Sequence, residues 1–143
     1  MATYLQITDG NKRDKLWWNE LVRCCAVIGE PFEIHCWSDE RAEMELALRF
    51  GEKVRSSWYG GTVIRGKITR EFLKFLTEMD KPCDTDIYNK MTPFFSLFLG
   101  DVLYSEHYGT EVTITRCVTD NWQEIDGVLK SLERCASIHR NMI

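Results

Sequence analysis

Three features of this 143-residue chain predict an α+β fold. Stretches of alternating apolar and polar residues have the two-residue period of half-buried strands, while others place apolar residues every three or four positions, as helices do. Several alternating stretches also follow one another across turn residues with no helix between them. That order favours a mostly antiparallel mixed sheet with about four helices packed on it. One domain, residues 1–143, suffices, since a chain of this length buries about 70% of the surface its unfolded form exposes.

Thr3 to Thr8 sets Leu5 and Ile7 against Tyr4 and Gln6 and reads as a strand. Asp9-Gly10-Asn11 turns the chain into a helix expected over 12–28, with Trp17, Leu21, Cys24, Cys25 and Ile28 on one stripe. Gly29 and Pro31 stop it. Phe32, Ile34 and Cys36 alternate with Glu33, His35 and Trp37 as a second strand. Ser38 or Asp39 is the expected cap of the next helix, whose stripe is Met44, Ala47 and Leu48 and which Gly51 ends.

Val54–Tyr59 and Thr62–Ile68 flank Gly60-Gly61, the residues of a two-residue hairpin turn at positive φ. Thr69 caps a third helix carrying Phe72, Phe75, Leu76 and Met79, and Asp80-Lys81-Pro82 ends it. Residues 83–92 read as loop or one helical turn. A second hairpin is expected from 94–99 and 111–116, with a short middle strand near 102–104. The last helix, capped by Thr119 or Asp120, is expected to run to His139 with Trp122, Ile125, Leu129, Leu132 and Ala136 facing the sheet.

Composition excludes several classes. The net charge of −4 argues against non-specific nucleic-acid binding. The longest apolar run, Phe94–Leu99, is too short to span a bilayer. The N-terminus lacks the basic and apolar regions of a signal peptide. Of the six cysteines, Cys24, Cys25, Cys36 and Cys135 sit in apolar patterns, so reduced thiols and a cytoplasmic location are expected.

Charge is distributed in blocks. Residues 30–51 carry two basic and six acidic groups, 52–74 six basic and two acidic, and 75–111 two basic and seven acidic. The basic block, Arg65 to Lys74, has few interleaved aromatics and reads as a solvated face.

Motifs for chemistry are sparse. No G-x-S-x-G elbow, P-loop, C-x-x-C or H-E-x-x-H occurs, so neither a cofactor nor a metal is expected. Asp84 and Asp86 fit capping chemistry. His35 and His139 read as structural: one alternates with apolar strand residues, the other lies near the expected end of the last helix. His107 alone stands in a polar-aromatic cluster, Tyr104-Ser105-Glu106-His107-Tyr108-Gly109. If the protein is an enzyme, a small hydrolase or small-molecule-binding enzyme, Ser105, His107 and Glu111 (or Asp101) are its catalytic candidates, with His107 as general base.

The segment DTDIYNKMTPFFSLFLGDVLYSEHYGTEVTI, Asp84 to Ile114, resembles the C-terminal half of small bacterial immunity-type proteins, which neutralise a toxin encoded at an adjacent locus. The resemblance spans about a fifth of the chain. It implies action by binding, with no catalytic residues, against a basic protein such as a nuclease. A phage-type inhibitor of a host enzyme fits the same description. Read from the residues themselves, the partner-binding candidates are Asp84, Asp86, Tyr88, Asp101, Tyr104, Glu106, His107, Tyr108 and Glu111. The carboxylates would steer a basic protein partner and the tyrosines anchor it. Neither a membrane nor direct nucleic-acid contact is expected.

Overall fold

The computed structural model describes residues 2–7, 14–82, 89–115, 122–132 and 136–141, with side chains for 14–82, 89–115 and 123–132. In chain order the elements are β1 (Ala2–Ile7), α1 (Leu16–Cys25), β2 (Pro31–Trp37), α2 (Arg41–Leu48), β3 (Glu52–Val54) and β4 (Gly61–Lys67). There follow α3 (Arg70–Glu78), β5 (Ser96–Leu99), β6 (Leu103–Glu106), β7 (Glu111–Ile114), α4 (Trp122–Ser131) and β8 (Ala136–Asn141). The fold is a single α+β domain. Its strands form one sheet in the order β3-β4-β2-β5-β6-β7-β1-β8. Each of the seven neighbouring pairs is antiparallel.

Strand alternation decides what the two faces carry. Register places Phe32 opposite Leu99, Ile34 between Ile64 and Leu97, and Leu103 opposite Ile114. These side chains are buried and share one core with Trp18, Leu21 and Val22 of α1, Ala47 of α2, Phe72 and Leu76 of α3, and Ile125 and Leu129 of α4. All four helices therefore cover the same face. Phe32 stacks on Phe72 with ring centroids 4.1 Å apart, and Phe50 bridges Phe72 and Phe75.

The helix ends follow local chemistry. Thr69 caps α3 as the sequence suggests, its Oγ1 accepting the Phe72 N–H at 3.1 Å. At α2 the expected caps fail: Glu40 is the N-cap residue, and its carboxylate accepts the Trp37 N–H at 2.8 Å. The first helix is shorter than expected, because Ala26 turns to extended backbone at its C-cap. Ile28, expected on the buried stripe, is consequently exposed.

Three strand expectations are also corrected. Gly60-Gly61 is not a hairpin turn; β3 ends at Val54, opposite Val63, and residues 55–60 connect it to β4. Neither glycine has positive φ. Both are needed for close approach: a Cβ at Gly60 would lie 2.4 Å from the rings of Trp37 and Trp58, and one at Gly61 2.3 Å from the Cys36 carbonyl. The middle strand β6 is a full member of the sheet, so β5 and β7 each pair with it and not with each other. The last helix ends at Ser131, and Ala136 and His139 lie in β8, paired along its length with β1. The Asp9 turn, the Thr119/Asp120 cap and the Trp122 side chain lie outside the described residues.

Lys15 joins the helices. Its ammonium, buried, donates to the carbonyls of Leu76 (2.9 Å) and Met79 (3.1 Å) at the C-terminal end of α3, and stands 5.0 Å from the Trp18 ring. A cation is favoured at a helix C-terminus. Burial nevertheless pushes its pKa down to about 8, against the attraction of Asp80.

Two measurements follow from this packing. Leu129 is fully buried, so Leu129→Ala should cost about 2–5 kcal/mol in urea unfolding; a parent-like midpoint would mean α4 does not face the core. For Lys15, the unfolded chain binds more protons than the folded one between the folded value of about 8 and the ordinary lysine value of 10.5. Its contribution to stability therefore rises as pH increases through that window. The buried thiols act oppositely: burial raises Cys24, Cys25 and Cys36 from 9.0 to about 11, 12 and 12, so their share falls above pH 9. They are common to parent and variant, so the parent's stability relative to Lys15→Met should increase from pH 8 to 10.5. A pH-independent difference would contradict the burial of that charge.

Candidate functional site: the open face of the sheet

With the helices on one face, the other is left to alternate residues of the same strands. Register aligns Glu33 with Arg65 and Phe98, Phe98 with Tyr104, Tyr104 with Thr113, and Glu106 with both Ser96 and Glu111. Among the described residues no helix covers this face. From β4 to β7 it spans four inter-strand spacings, about 19 Å.

Aromatic side chains line it in one connected chain. Tyr104 meets Phe98 edge-on at 5.3 Å, and Phe98 meets His35 at 5.2 Å. His35 packs on Trp58 at 4.7 Å, Trp58 on Trp37 at 5.0 Å, and Trp37 on Phe95 at 4.7 Å. Phe95 then touches His107 and Tyr108 edge-on. Trp58 reaches the face because Gly60 and Gly61 let the 55–60 loop fold onto it. The next residue, Tyr59, is 99% exposed. Such pairs add about 0.5–1.5 kcal/mol each beyond their buried area, so the layer is held in place without a second sheet or helix.

Charge is concentrated at two points. Glu33 accepts from Arg65 Nε at 2.6 Å and is hydrogen-bonded to His35 Nε2 at 2.7 Å. Burial alone would raise its pKa, but the bonds from Arg65 and His35 prevail and hold it below the ordinary carboxylate value. Glu33, Arg65, Phe98 and Tyr104 line a shallow cleft of about 570 Å³ together with Pro31. At the other end Glu106 and Glu111 are direct cross-strand partners, a like-charge pairing that costs stability. His107 Nδ1 lies 2.9 Å from Glu111 Oε2. The Glu106 carboxylate has no hydrogen-bond or ion-pair partner among the described residues.

The β6–β7 turn that carries His107 is conformationally costly. His107, Tyr108 and Gly109 have φ of 51°, 60° and 87°. Paired positive φ suits tight hairpin turns, where Asn-Gly is the favoured sequence; bulky residues enter that region only when the surroundings enforce it. Here Tyr108 enforces it. Its N–H donates to the Phe95 carbonyl, its carbonyl accepts the Met91 N–H at 2.8 Å, and its hydroxyl donates to Glu40 at 2.9 Å. Lys90 stands 4.2 Å from its ring.

The structure separates the residues singled out by the sequence. Ser105 is fully buried on the helical face, its Oγ accepting the Trp18 indole N–H at 3.1 Å, while His107 and Glu111 lie on the side away from it. The Ser105/His107 arrangement required by a hydrolase is therefore not assembled. Asp101 lies in the β5–β6 turn, at the opposite end of β6 from His107, which leaves Glu111 as the carboxylate at His107. Tyr108 is buried and committed to internal bonds, so it clamps the turn instead of offering a free anchor. Tyr104, Glu106, His107 and Glu111 do share the open face. Asp84, Asp86 and Tyr88 lie outside the described residues. Sequence reasoning missed Trp37, Trp58, Tyr59 and Phe95 as site residues. The signal was present in Trp58-Tyr59-Gly60-Gly61, where glycines adjoin aromatics.

No protein-family model matches the chain, and neither a curated protein nor a solved structure does. Among the described residues no three His, Cys, Asp or Glu side chains are grouped to hold a metal ion, and no helix is long and apolar enough to cross a membrane.

Ser105→Ala should cost about 1–3 kcal/mol, because it strips the buried Trp18 N–H of its acceptor. Chemical unfolding monitored by tryptophan fluorescence measures this. Parent-like stability would mean the Ser105 hydroxyl is not committed to the core.

Proposed function

We propose that this protein acts by binding another protein, with the open sheet face and the 55–60 loop as its contact surface, and that the bound surface is basic. The observation that carries the reading is the connected aromatic layer running from Tyr104 to His107, flanked by Glu106 and Glu111. Aromatic side chains on a firm support give large contact area at low conformational cost. Two carboxylates held opposite each other at a cost in stability are relieved when a lysine or arginine arrives. The same carboxylates repel a phosphate backbone, which disfavours nucleic acid as the occupant.

Each partner commonly contributes roughly 800 Å² to a stable complex. Exposed Tyr59 adds contact area beside the sheet face. The narrower form of the proposal is inhibition by occlusion, as in immunity-type proteins that neutralise a basic toxin such as a nuclease. A reducing, cytoplasmic setting belongs to it, supported by Cys24, Cys25 and Cys36, which are buried and form no disulfide among the described residues.

The test is affinity capture of the partner from the native cell with parent and variant proteins, followed by association kinetics across a salt series. Glu106→Lys with Glu111→Lys should slow association at low salt, an effect that fades once the Debye length falls below about 10 Å. Tyr59→Ala should chiefly speed dissociation, by about tenfold or more if it is an anchor. A partner captured equally by all variants, with salt-independent association, would move the interface off this face.

A further inference from the structure

A second feature lies away from the open sheet face, in the groove where α1 packs against α4. A cleft of about 730 Å³ opens there. Asp14 and Glu20 line it from the α1 side and Glu124 from α4, with no lysine, arginine or histidine among the described residues that line it. Leu16, 63% exposed, and Val128 give it an apolar border. Three carboxylates beside exposed leucine make a surface with two chemistries to match.

Two further observations indicate an occupant. Trp17 lines the cleft and is only 5% exposed, yet its indole N–H has no acceptor among the described residues. Native folds pair nearly all such buried donors, so one left over beside a cleft marks the place of an acceptor brought from outside. Gly127 lines the cleft from the middle of α4, where glycine is less favourable than alanine. Packing within the chain does not require it: a Cβ there would meet nothing within 4 Å. A glycine without an internal steric reason fits a position that another chain approaches closely.

We propose that the α1–α4 cleft is a docking site for a basic amphipathic segment of a partner protein. Lysine or arginine side chains pair with Asp14, Glu20 and Glu124, an apolar side chain packs on Leu16 and Val128, and a carbonyl accepts from Trp17. Charge complementarity and the missing hydrogen-bond acceptor select this occupant over an acidic or wholly apolar one. The site is independent of the open sheet face.

The test uses a synthetic helical peptide with leucines on one stripe and lysines on the other, added to ¹⁵N-labelled protein. The five tryptophan indole N–H signals are monitored, with that of Trp17 assigned by Trp17→Phe. Saturable movement of the Trp17 signal is expected. Glu20→Lys with Glu124→Lys, both at exposed positions, should weaken binding by about tenfold or more. Gly127→Ala should raise the melting temperature while weakening the peptide. Glu106→Lys with Glu111→Lys, on the other face, should leave the Trp17 response intact. The proposal is overturned by an unmoved Trp17 signal up to about 1 mM peptide, or by an equal response to a peptide with glutamate in place of lysine. Reproduction of the full response by spermidine alone would also overturn it, since the cleft would then be a small-cation site.

Discussion

The packing of four helices on a single face of an antiparallel sheet constrains everything else in this protein. Because successive strand residues point to opposite faces, register that buries Phe32, Ile34, Leu97, Leu99 and Leu103 under the helices also sends Glu33, His35, Phe98 and Tyr104 to the other side. A one-residue slip would exchange the two sets. The candidate binding surface is thus the obligatory complement of the core, and it inherits the core's rigidity.

That complement does not resemble an ordinary solvated sheet face. A half-buried sheet needs polar residues outside, and Arg65 and Thr113 serve that end. The aromatic layer goes further, and two local devices support it. Gly60 and Gly61 remove the side chains that would keep Trp58 from Trp37. Tyr108 holds three consecutive residues at positive φ by bonding to Phe95, Met91 and Glu40. Backbone strain of this kind costs on the order of 1 kcal/mol or more per residue and persists only where several contacts enforce it. It lies beside the like-charge Glu106–Glu111 pairing, so two costs coincide at one end of the face.

The helical layer carries its own buried polar groups. Lys15 closes the end of α3 from the start of α1, and Trp18 reaches through the core to Ser105 on β6. These long-range bonds tie α1 to both the helices and the sheet. They also redirect Ser105: a hydroxyl that sequence places two residues from a histidine is held on the far side of the strand from it.

Local chemistry was legible in the sequence: the α+β class, the stripe of α1 as far as Cys25, that of α3, Ile125, Leu129 and Leu132 at the α4 end, the Thr69 cap and the alternation of β2. Each depends on residues within a few positions of one another, where periodicity and capping act. Tertiary contacts decided the rest. The strand β8 was hidden because Ile138 and its neighbours read as the tail of a helix, and only pairing with β1 makes them a strand. Gly60-Gly61 had the composition of a turn, but tryptophans distant in sequence set its role. Tyr104, Glu106, His107 and Glu111 were recognisable as a cluster, whereas Trp37, Trp58 and Phe95 joined it only through the fold. Sequence by itself determined which residues alternate; the sheet's order and the side taken by the helices determined which of them meet.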